Sequence, residues 1–428
     1  MSSRSVKSKG QGKEQNKGGK TSSKLDVNKL IHDLPKSDLH LHLDGSVDLA
    51  TMIQIAKAEK IKLPSYTVDG LNTVLFKDHY ASLEEYLTTF GYSCSVMQKP
   101  EHLEQISYEL VKANIAEGVR YIEVRYAPQL HINKYMSMKD VLVAVDKGLK
   151  RGKDEFNRQP KIMKGEEPPF DYGIIVCAMR MFGGFSEYFT KFLEAHPFSK
   201  PKKIYGMCSM ELAQGAVKYR DELGLPIVAF DLAGAEKGFP AADHKQAYEF
   251  AHANFMHKTV HAGEAYGPES IFQAISDLQA ERIGHGYYLF DTSKITEKSI
   301  KDKETYVRQL SQYIADRRIT IEVCLTSNMQ TNPEIKHLKN HAFRKMMENG
   351  LSTSFCTDNR TVSKTTVSRE ISLALENFDI DWKALKNTLV YGFKRSFHPG
   401  TYMQKRAYVR GIIDYTEKVF ARHGIELP

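Results

Sequence analysis

The run Asp38-Leu39-His40-Leu41-His42-Leu43-Asp44-Gly45 sets two imidazoles one residue apart among leucines. Side chains alternate along a strand, so His40 and His42 point one way and the three leucines the other. Two neutral imidazoles aimed at one point make half of a metal site. The same spacing on an exposed strand face is no more than a pair of surface histidines, and the run alone leaves both readings open.

Further candidate ligands stand at corresponding points downstream. His261 ends a short apolar run in His261-Ala262-Gly263-Glu264, His285 ends another in Gly284-His285-Gly286, and Asp358 a third in Thr357-Asp358-Asn359. Imidazoles together with a carboxylate suit a borderline cation such as zinc. Glu264 follows His261 past Ala262-Gly263, where the chain can turn a carboxyl back toward the same point. Held protonated by apolar surroundings, it would serve as an acid.

Such residues converge only if their elements do. Eight strand-like runs recur, at 37–43, 119–126, 172–179, 226–232, 258–262, 282–285, 319–325 and 351–357. Several lack the alternation of a half-wet sheet, which predicts parallel strands covered on both faces. Helical patterns intervene at 140–155, 209–223, 243–256, 270–280, 303–316 and 365–377. Eight strand-then-helix units predict an α/β fold, a (β/α)8 TIM-like barrel whose strand ends converge over the axis. Extra helices are expected in 48–112, including one over 82–96, and at the C-terminus over 382–395 and 402–423. Residues 151–171, charged and Pro-containing, read as a surface loop.

In this order the motifs resemble the adenosine deaminase family of metal-dependent amidohydrolases. The matching pieces are Ser37 to Ser46, Glu123-Val124-Arg125-Tyr126-Ala127-Pro128, Asp231-Leu232-Ala233-Gly234, His261 to Glu264, Gly284-His285-Gly286, Thr326-Ser327 and Thr357-Asp358. The resemblance implies zinc on His40, His42, His261 and Asp358, with hydroxide formed there attacking purine C6 of adenosine or 2′-deoxyadenosine to give inosine and ammonia. It implies that Glu264 protonates N1, and that Asp358 and His285 orient the attacking oxygen. It also implies that the Gly234 N–H meets purine N3, that Asp44 meets the ribose 5′-hydroxyl, and that Leu83, Tyr86, Leu87 and Phe90 form an apolar gate; a helix packed on the barrel would show the same stripe. Two positions depart from the family pattern. Asn359 stands where many members have a second aspartate facing N7, and its NH2 can donate there as a neutral group. Tyr86 stands where an unsubstituted aromatic ring is usual, and its hydroxyl could alter what the gate admits.

Composition narrows the alternatives. Of the formal net charge of +8, +6 lies in residues 1–24, which carry almost nothing to bury and are expected to form a disordered basic tail ahead of a single deaminase domain over 25–428. The globular body is near neutral, so a nucleic-acid partner rests on the tail alone. No apolar leader or span-length stretch follows, and five scattered cysteines fit reduced thiols, which predicts a cytoplasmic protein needing no membrane and no obligatory protein partner. A two-metal amidohydrolase would need a lysine ending a middle strand, where this chain has Phe230-Asp231-Leu232-Ala233. Cytidine-type deaminases need a Pro-Cys-x-x-Cys pair, and the chain has none. A non-catalytic nucleoside binder, and deaminases of adenine, 5′-modified adenosines or adenosine monophosphate, remain as alternatives. Asp44 would repel a 5′-phosphate.

Overall fold

The computed structural model describes residues 25–332 and 334–427; the expected basic tail, 1–24, lies outside the described residues. Eight strands, β1 (Lys36–His42), β2 (Val119–Tyr126), β3 (Asp171–Met179), β4 (Ile227–Ala233), β5 (His257–Ala262), β6 (Arg282–His285), β7 (Thr320–Val323) and β8 (Thr353–Phe355), run parallel in the order β1 to β8. The sheet closes on itself. Leu41 bridges Asp358, the His42 N–H donates to the Asp358 carbonyl at 2.8 Å, and the Asp358 N–H donates to the His40 carbonyl at 2.8 Å. This is the (β/α)8 barrel expected from the alternation of runs, with β7 and β8 shorter than their apolar stretches.

The strands are buried almost throughout because helices cover their outer faces, which explains their missing alternation. The interior is unusual in holding charge. Glu123, Arg125, Asp231, Arg282 and Glu322 are all fully or almost fully buried among the strands.

Three expectations about the periphery need correction. The helix Pro100–Ala116 is not part of an insertion, since it packs on β2 and on the helix Met138–Asn157 as a regular member of the outer ring. Gly148 lets those two helices touch: a Cβ there would lie 2.2 Å from the Glu104 carbonyl oxygen. The insertion proper therefore ends before residue 100. The stretch 151–171 is not a loop throughout. Met138–Asn157 continues into it, burying Gly152 and Phe156 on one face while Lys150 pairs with Asp154 at 3.0 Å on the other, and a helical turn follows at Pro160–Met163. Charged residues at helical spacing read as a loop only when their buried companions are overlooked. The expected helix over 82–96 is two short ones, Leu83–Thr88 and Phe90–Ser95, broken at Thr89, whose hydroxyl donates to the Tyr86 carbonyl at 2.8 Å. Among the described residues no helix is long and apolar enough to cross a membrane.

Candidate metal and catalytic centre

The carboxyl ends of β1, β5, β6 and β8 bring His40, His42, His261, His285 and Asp358 together. One ligand atom each from His40, His261, His285 and Asp358 lies within 4.8 Å of the others. His42 joins them. Its Nε2 is 3.1 Å from the His261 Nε2 and 3.4 Å from the Asp358 Oδ1, which in turn is 3.3 Å from the His40 Nε2. Asp358 is aimed by Ser327, whose hydroxyl donates to its Oδ2 at 2.6 Å.

Two buried carboxylates set the faces of His40 and His261. Glu322 on β7 lies 2.7 Å from the His40 Nδ1, and Asp231 on β4 lies within 3.3 Å of the His261 Nδ1. Each carboxylate accepts the Nδ1–H and so turns an Nε2 lone pair toward the centre. The His40 Nε2 is buried with no hydrogen-bond partner, as a ligating nitrogen would be. Arg125 ties the two carboxylates together, donating at 2.9 Å to each and at 2.6 Å to the Leu39 carbonyl. Arg282 donates to Glu322 at 2.7 Å and also pairs with Glu123.

Charge in this network is unbalanced. Of four buried carboxylates, Asp231 and Glu322 meet Arg125, Glu322 and Glu123 meet Arg282, and Asp358 faces the imidazoles of His40 and His42. Burial opposes ionisation of Asp358, but the surrounding imidazoles, His40 foremost, hold it well below the usual carboxylate range. The guanidiniums do the same for Glu322, as do His261 and Arg125 for Asp231. Burial keeps His42 and His285 neutral and pushes His261 down, whereas His40 is raised because Asp358 and Glu322 outweigh its burial and the Arg125 charge. A buried cluster of imidazoles with two more carboxylates than guanidiniums beside it fits a divalent cation by donor type and by charge.

His285 differs from the other imidazoles. The Phe343 backbone N–H donates to the His341 Nδ1 at 3.0 Å, so neutral His341 carries its proton on Nε2 and gives it to the Asn328 Oδ1 at 3.1 Å. That fixes the Asn328 amide, whose NH2 donates to the His285 Nδ1 at 3.2 Å. The His285 Nε2 must then bear a proton, which makes it a hydrogen-bond donor into the site and not a ligand in this tautomer. It lies 3.7 Å from the Glu264 Oε2.

Glu264 is held by a carboxylate absent from the sequence-based expectation. Glu236 accepts from the backbone N–H groups of Gly263, Glu264, Ala265 and Tyr266 at 2.6–3.1 Å and from the Ser270 hydroxyl. Gly263, at φ +72° with Ile271 2.6 Å from where a Cβ would be, permits the turn. Burial pushes the Glu264 carboxyl up to about 8, with the Asp358 and Glu236 charges adding to it. The carboxyl is therefore protonated at neutral pH.

The remaining expected residues are placed unevenly. Asp44 is buried, its Oδ1 has no hydrogen-bond partner and stands 4.0 Å from the His42 Nδ1, and burial pushes it up to about 7. Gly234 follows β4 at φ +97°, a conformation that favours glycine. Tyr86 is not a free gate: it is buried, and its hydroxyl meets the Ser363 hydroxyl at 2.8 Å and accepts from the Asn359 NH2 at 2.8 Å. In this arrangement the Asn359 NH2 is thus committed to Tyr86, and its Oδ1 is the atom without a partner. Phe90 packs edge-on against Tyr86, with ring centroids 6.0 Å apart, and Leu87 is half-buried. The Leu83 side chain lies outside what the structure describes. Glu322, Glu236, Asn328 and His341 went unread in the sequence. A lone carboxylate inside an apolar run, as in Ile321-Glu322-Val323, was the available signal for the first; the others come from loops and from the helix Leu325–Thr331, whose polarity is unremarkable.

Glu322→Gln is expected to lower metal affinity 10–100-fold in a competitive chelator titration, and to lower the melting temperature by leaving two guanidiniums underpaired, at a cost of about 3–5 kcal/mol. His341→Leu, which frees Asn328 to turn, is expected to lower kcat about tenfold or more while metal content and KM hold; an unchanged kcat would remove His341 from the chain that sets the His285 tautomer.

Comparisons with known proteins agree with this geometry. The family model described as adenosine deaminase matches residues 35–415. An adenosine deaminase of Mycobacterium avium is 32% identical over 371 residues, covering 86% of this chain and 92% of that one. Among solved structures, an amidohydrolase from Burkhoderia ambifaria with bound Zn superposes with a TM-score of 0.73 at 18% identity over 95% of this chain and 97% of that one. The N6-methyl-AMP deaminase of Arabidopsis thaliana does so with a TM-score of 0.67 at 22% identity over 90% and 98%. The two structures share the fold, and the sequence match runs from β1 past β8 through every residue of the centre. The chain belongs to the adenosine deaminase family.

Proposed function

We propose that this chain hydrolyses adenosine, and 2′-deoxyadenosine, to inosine and ammonia at one zinc ion held by His40, His42, His261 and Asp358. The observation that carries the ligand set is the spacing of its donors. Zinc bonds of about 2.0–2.2 Å in a tetrahedron separate neighbouring ligand atoms by about 3.3–3.6 Å, and the contacts His42–His261, His40–Asp358 and His42–Asp358 measure 3.1, 3.3 and 3.4 Å. When bound, zinc would supply the Lewis acidity that brings water toward ionisation near neutral pH.

The other groups divide the remaining work. Protonated Glu264 donates to purine N1 as C6 is attacked, so that negative charge does not build up on the ring. The His285 Nε2–H donates to the attacking oxygen and holds it toward C6. Asp358, kept ionised, takes the proton that water releases. The unpartnered Asp44 carboxyl receives the ribose 5′-hydroxyl, and the Gly234 N–H reads N3. A 5′-phosphate would be buried against the Asp44 carboxyl, which among the described residues has no lysine or arginine paired to it, and this favours the nucleoside over the nucleotide. Residues 25–428 act as one deaminase domain in the cytoplasm, with 1–24 as an appended basic tail.

Ammonia release from adenosine, 2′-deoxyadenosine, 5′-deoxyadenosine, adenine and adenosine monophosphate tests the substrate. Turnover of the first two ahead of the rest is expected; a preference for the monophosphate would overturn the role given to Asp44. Glu264→Gln is expected to keep its metal and lose about 10²–10⁴ in kcat, and a fully active variant would overturn the acid.

A further inference from the structure

At the other end of the barrel, a cavity of about 920 Å³ opens between the starts of β5 and β6 and the ends of the helices Lys303–Asp316 and Trp382–Arg395. Its wall is cationic. Lys258 is matched by Glu281 at 3.3 Å, and Arg282 by Glu123 and Glu322. Arg317, Arg318, Lys394, Arg395 and Lys405 also line it, and among the described residues none of these five has a carboxylate within 4.0 Å. Arg317 donates to the Tyr313 hydroxyl at 3.0 Å and Lys405 to the Ser396 carbonyl at 2.5 Å, both neutral acceptors.

Like charges crowd one another here. The Arg395 Nε is buried with no acceptor, and burial together with the Arg318 charge pushes the Arg395 guanidinium down. Burial pushes Lys405 down, and Arg282 and Arg395 add to it against the pull of Glu123. The rest of the chain does not explain the excess, because outside residues 1–24 its net charge is only about +2. A cation in the last turn of a helix is favoured by the carbonyls there. That accounts for one such residue per helix end, not for adjacent Lys394 and Arg395 facing Arg318 across a shared hollow.

We propose that this cavity is a binding site for a small anion carrying several phosphate groups. Guanidinium and ammonium donors around a concave surface match phosphate oxygens in charge and hydrogen bonding, and several cations gathered at one point exceed what a single carboxylate or phosphate needs. The hollow shape favours a small molecule over a polymer laid along a ridge. Its floor residue Arg282 also donates to Glu322, which orients His40, so the site stands two hydrogen bonds behind the metal centre.

Isothermal titration of the metal-loaded full chain with sodium tripolyphosphate, at fixed ionic strength, tests this. Saturable one-to-one binding is expected, weakened about tenfold or more in Arg317→Glu/Lys394→Glu and in Arg318→Ala, with adenosine turnover unchanged in both variants. All three positions are exposed, away from the metal centre. Chelation of the metal would strip wild type and variants alike, as atomic absorption after titration would report. Absence of saturable binding, or equal affinity in wild type and variants, overturns the proposal.

Discussion

Two backbone hydrogen bonds at the seam of the barrel hold the centre together. Asp358 receives the His42 N–H and gives its own N–H to the His40 carbonyl, so the last strand closes on the first at the residues that meet over the axis. Fold and site share one constraint: an opening of the seam would separate Asp358 from both β1 imidazoles. The chain turns sharply at this point, and Asp358 (φ +59°) and His285 (φ +66°) both adopt the left-handed region that side chains rarely occupy. Each such residue costs on the order of 1 kcal/mol or more, and the surrounding packing must offset it.

Beneath the ligands lies a layer of ions where many barrels place aliphatic side chains. Arg125 and Arg282 are almost wholly enclosed, yet every oxygen they reach belongs to a carboxylate or a main-chain carbonyl. Buried charge is weak evidence of stability, since desolvation consumes most of the attraction. Its effect here is orientation. Asp231 takes Arg125 on Oδ2 and presents Oδ1 to His261, while the Glu322 Oε2 accepts from both Arg125 and His40 and its Oε1 from Arg282, which sets the tautomer and plane of His40 and His261. Close packing completes the alignment: a Cβ on Gly284 would lie 2.8 Å from the His40 Cε1, so glycine at that point of β6 lets the ring stand upright.

Glu264 and His285 are positioned by separate devices. Glu264 depends on Glu236, which gathers four successive N–H groups after β5. His285 depends on a relay that begins at the Phe343 N–H, a donor with no second state, and passes through two side chains whose orientations follow from it. Burial then sets protonation: a carboxyl without a counter-charge stays neutral, and imidazoles without one stay unprotonated.

Much was legible in the chain itself. Alternation along β1 paired His40 with His42, apolar runs at regular intervals announced eight covered strands, and the polar residues ending them named His261, Glu264, His285 and Asp358. These features are local, and local sequence determines them. What tertiary structure decided is of another kind. Glu322 and Asp231 become orienting groups only because Arg125 bridges β4 and β7 across the barrel, and Glu236 only because its loop folds under residues 263–266. The Asn359 amide faces Tyr86 because the insertion after β1 brings that hydroxyl to the end of β8. Direction of a proton or an amide depends on which donor stands opposite, and the partners lie tens to hundreds of residues away, so spacing along the chain holds no record of them.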